Sequence, residues 1–166
     1  GTVNIYGNTL YNLQSNGGSK YAYGILFANN SNNTTNIKNN IVAQLSGSQE
    51  RAYYKNNASS TVNSANNLSD DTADAAYDAE DMNQSLNDST ALTGKTLAEI
   101  DFVSTGAGSE DLHLDVDSIC IGAGVDLGTT NGVNIDIDGE TMSGNWSIGA
   151  DWVSAGGSES FLIFVD

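Results

Sequence analysis

The sequence predicts an all-β chain wound as a parallel β-helix, and three observations point there. The chain repeats itself at an offset of 32 and then 27 residues, a period that belongs to solenoids. Its apolar residues fall in short β-prone segments with Asn or Gly between them, and helical spacing is missing. Gly, Asn, Ser, Thr and Asp dominate, charged residues make up 16%, and proline is absent, a composition rich in turn formers.

Taken in order, Asn4-Ile5-Tyr6-Gly7-Asn8-Thr9-Leu10 returns as Asn36-Ile37-Lys38-Asn39-Asn40-Ile41-Val42, and a looser third copy is Ser64-Ala65-Asn66-Asn67-Leu68. Likewise Phe27-Ala28-Asn29-Asn30 aligns with Tyr54-Lys55-Asn56-Asn57. The predicted strands are 3–6, 9–13, 24–28, 36–38, 41–45 and 52–55. Ile5, Leu10, Leu13, Ile25, Phe27, Ile37, Ile41 and Leu45 are expected inside. Asn8, Asn40 and Asn67 fall at equivalent corners, where Asn tolerates left-handed backbone and where stacked amides can bond to one another. Residues 1–69 are therefore read as coils. Residues 70–152 are an acidic loop over 70–91 followed by a closing segment, and 153–166 are a tail. Thr96 and Glu99 have capping-box spacing, which predicts a one- to two-turn helix at 96–100. In the tail, Phe161, Leu162, Ile163, Phe164 and Val165 form an apolar β-prone run that wants burial on both faces. It is expected to add as a strand to a neighbouring chain.

Charge is divided unevenly. Lys20, Lys38, Arg51 and Lys55 against Glu50 give residues 1–69 a charge of +3, and Lys95 against twenty carboxylates gives the remainder −19, for a total of −16. Nucleic acid is a poor partner for such a surface. The opposed signs allow electrostatic pairing between copies, so a homo-oligomer or filament is the expected assembly. No apolar run reaches the ~18 residues a membrane span requires, and no basic-then-apolar leader opens the sequence.

Cys120, the only cysteine, lies between Ile119 and Ile121 and reads as a small buried hydrophobe. His113 is also single, so it cannot build a His-rich zinc site. Two acidic pairs, Asp115/Asp117 and Asp136/Asp138, sit at strand spacing, which places each pair on one face. Asp136 and Asp138, with Glu140 near the Gly139 turn, are the first candidate ligands for Ca²⁺, a hard ion taking several oxygens, and Asp115 and Asp117 are the others. No nucleophile stands with a base partner, and the coil region offers only Glu50 as a carboxylate, so no catalytic set emerges. Tyr6, Tyr11, Tyr21, Tyr23, Tyr53 and Tyr54 could instead stack on sugar rings.

The blocks Asp111-Leu112-His113-Leu114, Ser118-Ile119-Cys120-Ile121-Gly122-Ala123-Gly124-Val125-Asp126, Ile135-Asp136-Ile137-Asp138-Gly139 and Trp146-Ser147-Ile148-Gly149-Ala150-Asp151 resemble the closing series of right-handed parallel β-helix repeat proteins. The resemblance covers most of residues 60–152. It departs from the family at Cys120 and Gly122, where Ala and Asp are usual, and at Glu140-Thr141-Met142, where an Arg often follows. It implies a right-handed β-helix with a β-rich closing segment sealing the solenoid end, working outside the cell or on its surface. The expected function is structural or adhesive, in a filament or surface layer. The alternative is the non-catalytic, polysaccharide-binding part of a β-helix enzyme or phage fibre.

Overall fold

The computed structural model describes residues 1–15, 21–27, 34–46, 49–55, 61–70 and 88–154. Its first seventy residues form three sets of parallel strands. One sheet holds β1 (Thr2–Tyr6), β4 (Thr34–Lys38) and β7 (Thr61–Ala65). A second holds β2 (Thr9–Tyr11), β5 (Ile41–Ala43) and β8 (Leu68–Ser69), and a third pairs β3 (Tyr21–Phe27) with β6 (Gln49–Lys55). Asn4 faces Asn36 and Asn36 faces Asn63, the register of the sequence repeat. The chain is thus all-β with parallel strand stacking, an arrangement compatible with a parallel β-solenoid.

Two details differ from the expectations. In the third sheet Leu26, not Phe27, faces Tyr54, and Phe27 faces Lys55. The faces nevertheless follow the expectation, with Ile25 buried and Leu26 exposed. Alternation is interrupted before them, where Ala22 and Ile25 share one core and β3 comes close to its neighbours at Gly24. A Cβ at that position would sit 2.5 Å from the Ala52 carbonyl oxygen and against the Val42 side chain. At the corners, the left-handed residues are Gly7, Asn39 and Asn66, at φ of 57°, 55° and 52°. Each lies one position before the asparagine expected to adopt that conformation.

Two apolar cores share the second sheet. Ala22, Ile25, Ile37, Val42, Leu45, Ala52 and Tyr53 form the first, with Ile5, Leu10 and Leu13 packed partly buried against it. Ile41 and Ala43 point the other way. With Leu68 they join Ile100, Phe102, Leu114, Cys120 and Ile148 in the second core. Ile41, expected in the same interior as Ile37, is therefore buried in the other core, and β5 is covered on both faces. The side chain of Phe27 lies outside the described residues.

The cover comes from the C-terminal segment, which contains α1 (Leu97–Ile100) and the antiparallel pair β9 (Phe102–Ser104) and β10 (Asp111–Leu114). The predicted capping box is present in full: Thr96 Oγ1 accepts from Glu99 N and the Glu99 carboxylate accepts from Thr96 N. This segment does not merely seal an end. Asn66 Nδ2 donates to Ala123 O at 2.9 Å, Asn39 Nδ2 to Val125 O at 2.8 Å, and Ala150 N to Thr9 Oγ1 at 3.0 Å. It therefore bonds to the chain beside all three successive parallel strands, because Ile41 and Ala43 must be taken out of water. Residues nearer position 90 do extend the rear rung, where Leu92 bridges in parallel to Leu68. Most of the predicted 70–91 loop, and the whole 161–165 run, fall outside the described residues.

Candidate functional site

Two constellations stand out, a column of amides through the coils and an imidazole–carboxylate cluster on the C-terminal layer. In the column, Asn8 Nδ2 donates to Asn40 Oδ1 at 2.8 Å, Asn40 Nδ2 to Asn67 Oδ1 at 2.9 Å, and Asn67 Nδ2 to Asp88 Oδ2 at 2.9 Å. The direction is set by the backbone. Asn40 Nδ2 also donates to the Ile5 and Lys38 carbonyls, Asn67 Nδ2 to the Ile37 carbonyl, and the backbone N–H groups of Asn8 and Asn40 donate to the oxygen beneath them. Asn40 and Asn67 are fully buried. The Tyr53 hydroxyl lies 2.9 Å from both the Asn40 and the Leu68 carbonyl oxygens, tying the column to the first core.

Asp88 ends the column. An ionised carboxylate accepts but cannot donate, and this one also accepts from Ser64 Oγ, Thr90 N and Thr90 Oγ1. A second column lies on the outside and runs the opposite way: Asn63 Nδ2 donates to Asn36 Oδ1, and Asn36 Nδ2 to Asn4 Oδ1, at 2.8 and 2.7 Å.

The cluster begins on β10, where alternation puts Asp111 and His113 on one face. His113 Nδ1 bonds to Asp111 Oδ1, while His113 Nε2 lies 3.2 Å from Asp138 Oδ2. The bond from the His113 ring holds the Asp111 carboxyl below its ordinary range. The Asp111 bond, opposed by burial and helped by Asp138, raises His113 above the ordinary imidazole value. Asp151, buried beside them, accepts from Leu114 N at 2.7 Å. One ligand atom from each of His113, Asp138 and Asp151 lies within 4.8 Å of the others. A cavity of about 100 Å³ lined by Thr9, Leu112, His113, Ile137, Ala150 and Asp151 adjoins them.

The acidic pairs read from strand spacing lie in turns. Asp136 Oδ1 accepts from the Asp138 and Glu140 N–H groups inside a loop closed by the Ile135–Thr141 bridge. Asp136 is thereby buried while Asp138 and Glu140 are exposed, and no shared strand face exists. Asp115 and Asp117 are exposed beyond the end of β10, where Asp115 Oδ1 accepts from Val116 N at 2.6 Å. Of the five expected ligands, Asp138 alone joins the cluster; His113 and Asp151 join it from other segments. Cys120 is buried, and that burial pushes its thiol up to about 11. Tyr23 and Tyr54 stack at 5.3 Å with Arg51 over the Tyr54 ring.

No helix among the described residues is long and apolar enough to cross a membrane. No family model, curated protein or solved structure matches this chain, and the parallel ladders are compatible with a parallel β-solenoid.

Proposed function

We propose that the chain is a right-handed parallel β-helix that works outside the cell as a structural or adhesive scaffold, a filament or surface-layer subunit. Right-handed winding is what parallel crossovers adopt almost without exception. The observation that carries the reading is the polarity of the buried amide column. Its rear is terminated by Asp88, while at its front Asn8 Oδ1 accepts no hydrogen bond among the described residues. Beside it Val3 is 47% exposed, although its ladder partner Thr35 is buried. A further strand laid on β1 and β2 would complete the backbone ladders and cover Val3 and Ile5. The Phe161–Val165 run of a neighbouring copy has the composition for that strand, and a head-to-tail contact that does not close gives filaments.

Deleting residues 158–166 tests this by light scattering and electron microscopy. The full chain is expected to form regular assemblies and the truncated chain to remain monomeric. Assembly of a folded truncated chain in the same way as the full chain would exclude the strand-addition reading. The stacked Tyr23–Tyr54 pair beside Arg51 favours a second reading, a polysaccharide-binding face. Under that reading the chain stays monodisperse and retains glycans on an array, and Tyr54→Ala removes the binding.

A further inference from the structure

His113 sits between two carboxylates, yet its geometry is that of a ligand held ready. With the Nδ1 proton directed at Asp111, the neutral ring keeps its lone pair on Nε2, the arrangement in which imidazoles bind metal. Nε2 faces Asp138, whose Oδ2 is 3.2 Å away. Two bonds of ~2.0 Å at a tetrahedral angle place their ligand atoms ~3.3 Å apart.

Asp151 supplies an independent observation. It is only 6% exposed, it lines the cavity beside His113, and among the described residues it accepts from Leu114 N through Oδ2. Among the described residues Oδ1 accepts no hydrogen bond, so its lone pairs remain available on the side of the cavity that the residue lines, where His113 and Asp138 offer their own ligand atoms. The cluster also holds three protein ligands and adjoins open volume, the pattern of a divalent site that keeps one position for a small exogenous ligand.

We propose that His113 Nε2, Asp138 and Asp151 bind a divalent transition-metal cation of the Zn²⁺ type, with Asp111 positioning the imidazole. This goes beyond the scaffold reading and does not depend on it. The site also differs from the one spacing suggests. An imidazole nitrogen selects a borderline cation over Ca²⁺, which takes oxygen ligands, and Asp138 is the one residue the two sets share. The metal would join β10, the 136–140 turn and the segment at Asp151, three parts of the layer otherwise linked by few bonds.

The experiment uses the full chain, stripped with a chelator, and ZnCl2 as the probe. Because His113 is the only histidine, its imidazole nitrogen resonances report the site without assignment ambiguity. Calorimetry is expected to show one Zn²⁺ per chain, with the Nε2 resonance moving and the Nδ1 resonance remaining that of a protonated nitrogen. His113→Gln and Asp151→Asn should each weaken binding at least about tenfold, the effect that loss of even an outer-shell partner has. Asn at position 151 still accepts from Leu114 N, so the fold is kept, and Glu140→Gln should leave affinity unchanged. Asp111→Asn should weaken Zn²⁺ about tenfold and shift the pH at which binding begins, which loss of packing alone would not do. An unmoved imidazole with no heat overturns the proposal. So does Zn²⁺ binding that survives His113→Gln, or Ca²⁺ displacing Zn²⁺ through Asp136 and Glu140.

Discussion

The parallel ladders and the layer that covers them are held by different means. In residues 1–70 the same interaction recurs at each rung: Asn over Asn, strand beside strand, Ile5 beside Ile37. Each rung is specified by its neighbours, so order there is collective. Residues 88–154 contain two short antiparallel strands and a one-turn helix. Their turns are tied one at a time, by Asp136 to its own loop, Asn39 to Val125 and Asp151 to Leu114. β5 belongs to both regions, giving Val42 to one core and Ile41 and Ala43 to the other. A repeating backbone can thus support an irregular one, provided one sheet is apolar on both faces.

The largest test of this contrast is Asn40→Ala. It removes the central member of the buried column, takes a partner from Asn8 N and from the Ile5 and Lys38 carbonyls, and leaves Asn67 Oδ1 only the Asn40 N–H. Orphaned buried polar groups cost about 1–3 kcal/mol each, so urea denaturation is expected to show a loss of about 3–5 kcal/mol. Asn36→Ala breaks the same kind of bond in the outer column, where water replaces the amide, and about 0.5 kcal/mol or less is expected. Equal losses for the two variants would mean that burial is not what gives the inner column its weight.

Next in size is Ile148→Ala, which opens a cavity in the second core only. The expected loss is about 3 kcal/mol, and it should be local. Both tryptophans, Trp146 and Trp152, lie in the layer, so their fluorescence reports the layer while the far-ultraviolet signal is dominated by the ladders. In the variant the fluorescence transition is expected at lower urea than the ladder transition. Coincident shifts would show that the shared β5 makes the two regions one cooperative unit.

The same contrast governs how far the amino-acid sequence alone reveals each region. The parallel strands are legible because Asn39-Asn40 and Asn66-Asn67 repeat at solenoid spacing and parallel pairing follows from the repeat. The left-handed corner falls one residue earlier than expected, since the repeat marks a dipeptide and does not say which of its two residues takes positive φ. The side of the sheet to which Ile41 belongs is not legible. A continuous Ile-Val-Ala run fits a strand covered on one face or on two. Asp88 is hidden as the end of the column because it replaces asparagine with a different residue type after a gap that breaks the period. The cluster of His113, Asp138 and Asp151 joins three segments distant in sequence, and local spacing has no access to such a meeting. Strand alternation misleads at Asp136 and Asp138 because a tight loop, closed by the Ile135–Thr141 bridge, imposes its own geometry.

The smallest expected effect is the dependence of the layer on pH through His113, measured without metal. The imidazole is raised by its bond to Asp111 and, less, by Asp138, and Asp151 also faces it. A group whose folded value lies above its unfolded one, about 6.5 for histidine, binds protons more tightly in the folded chain. Its contribution is fully present below the unfolded value and is lost as pH rises through the folded value. The window therefore opens near pH 6.5 and extends upward to the raised value. Asp111, held low, acts in the opposite sense, contributing above its unfolded value and losing that contribution only in acid. Because the His113 side chain is 41% exposed, solvent screens the pair and the increment is small. Relief of the large negative charge also favours folding at lower pH, so the useful quantity is the difference between the parent chain and His113→Gln. The parent's advantage in urea midpoint should be present at pH 6 and gone well above neutrality. Asp111→Asn should lower the titration midpoint of the His113 imidazole more than Asp138→Asn does, following the order of the two bonds. A reversed order would place the proton on Nε2, shared with Asp138, and with it the tautomer opposite to the one that leaves Nε2 free.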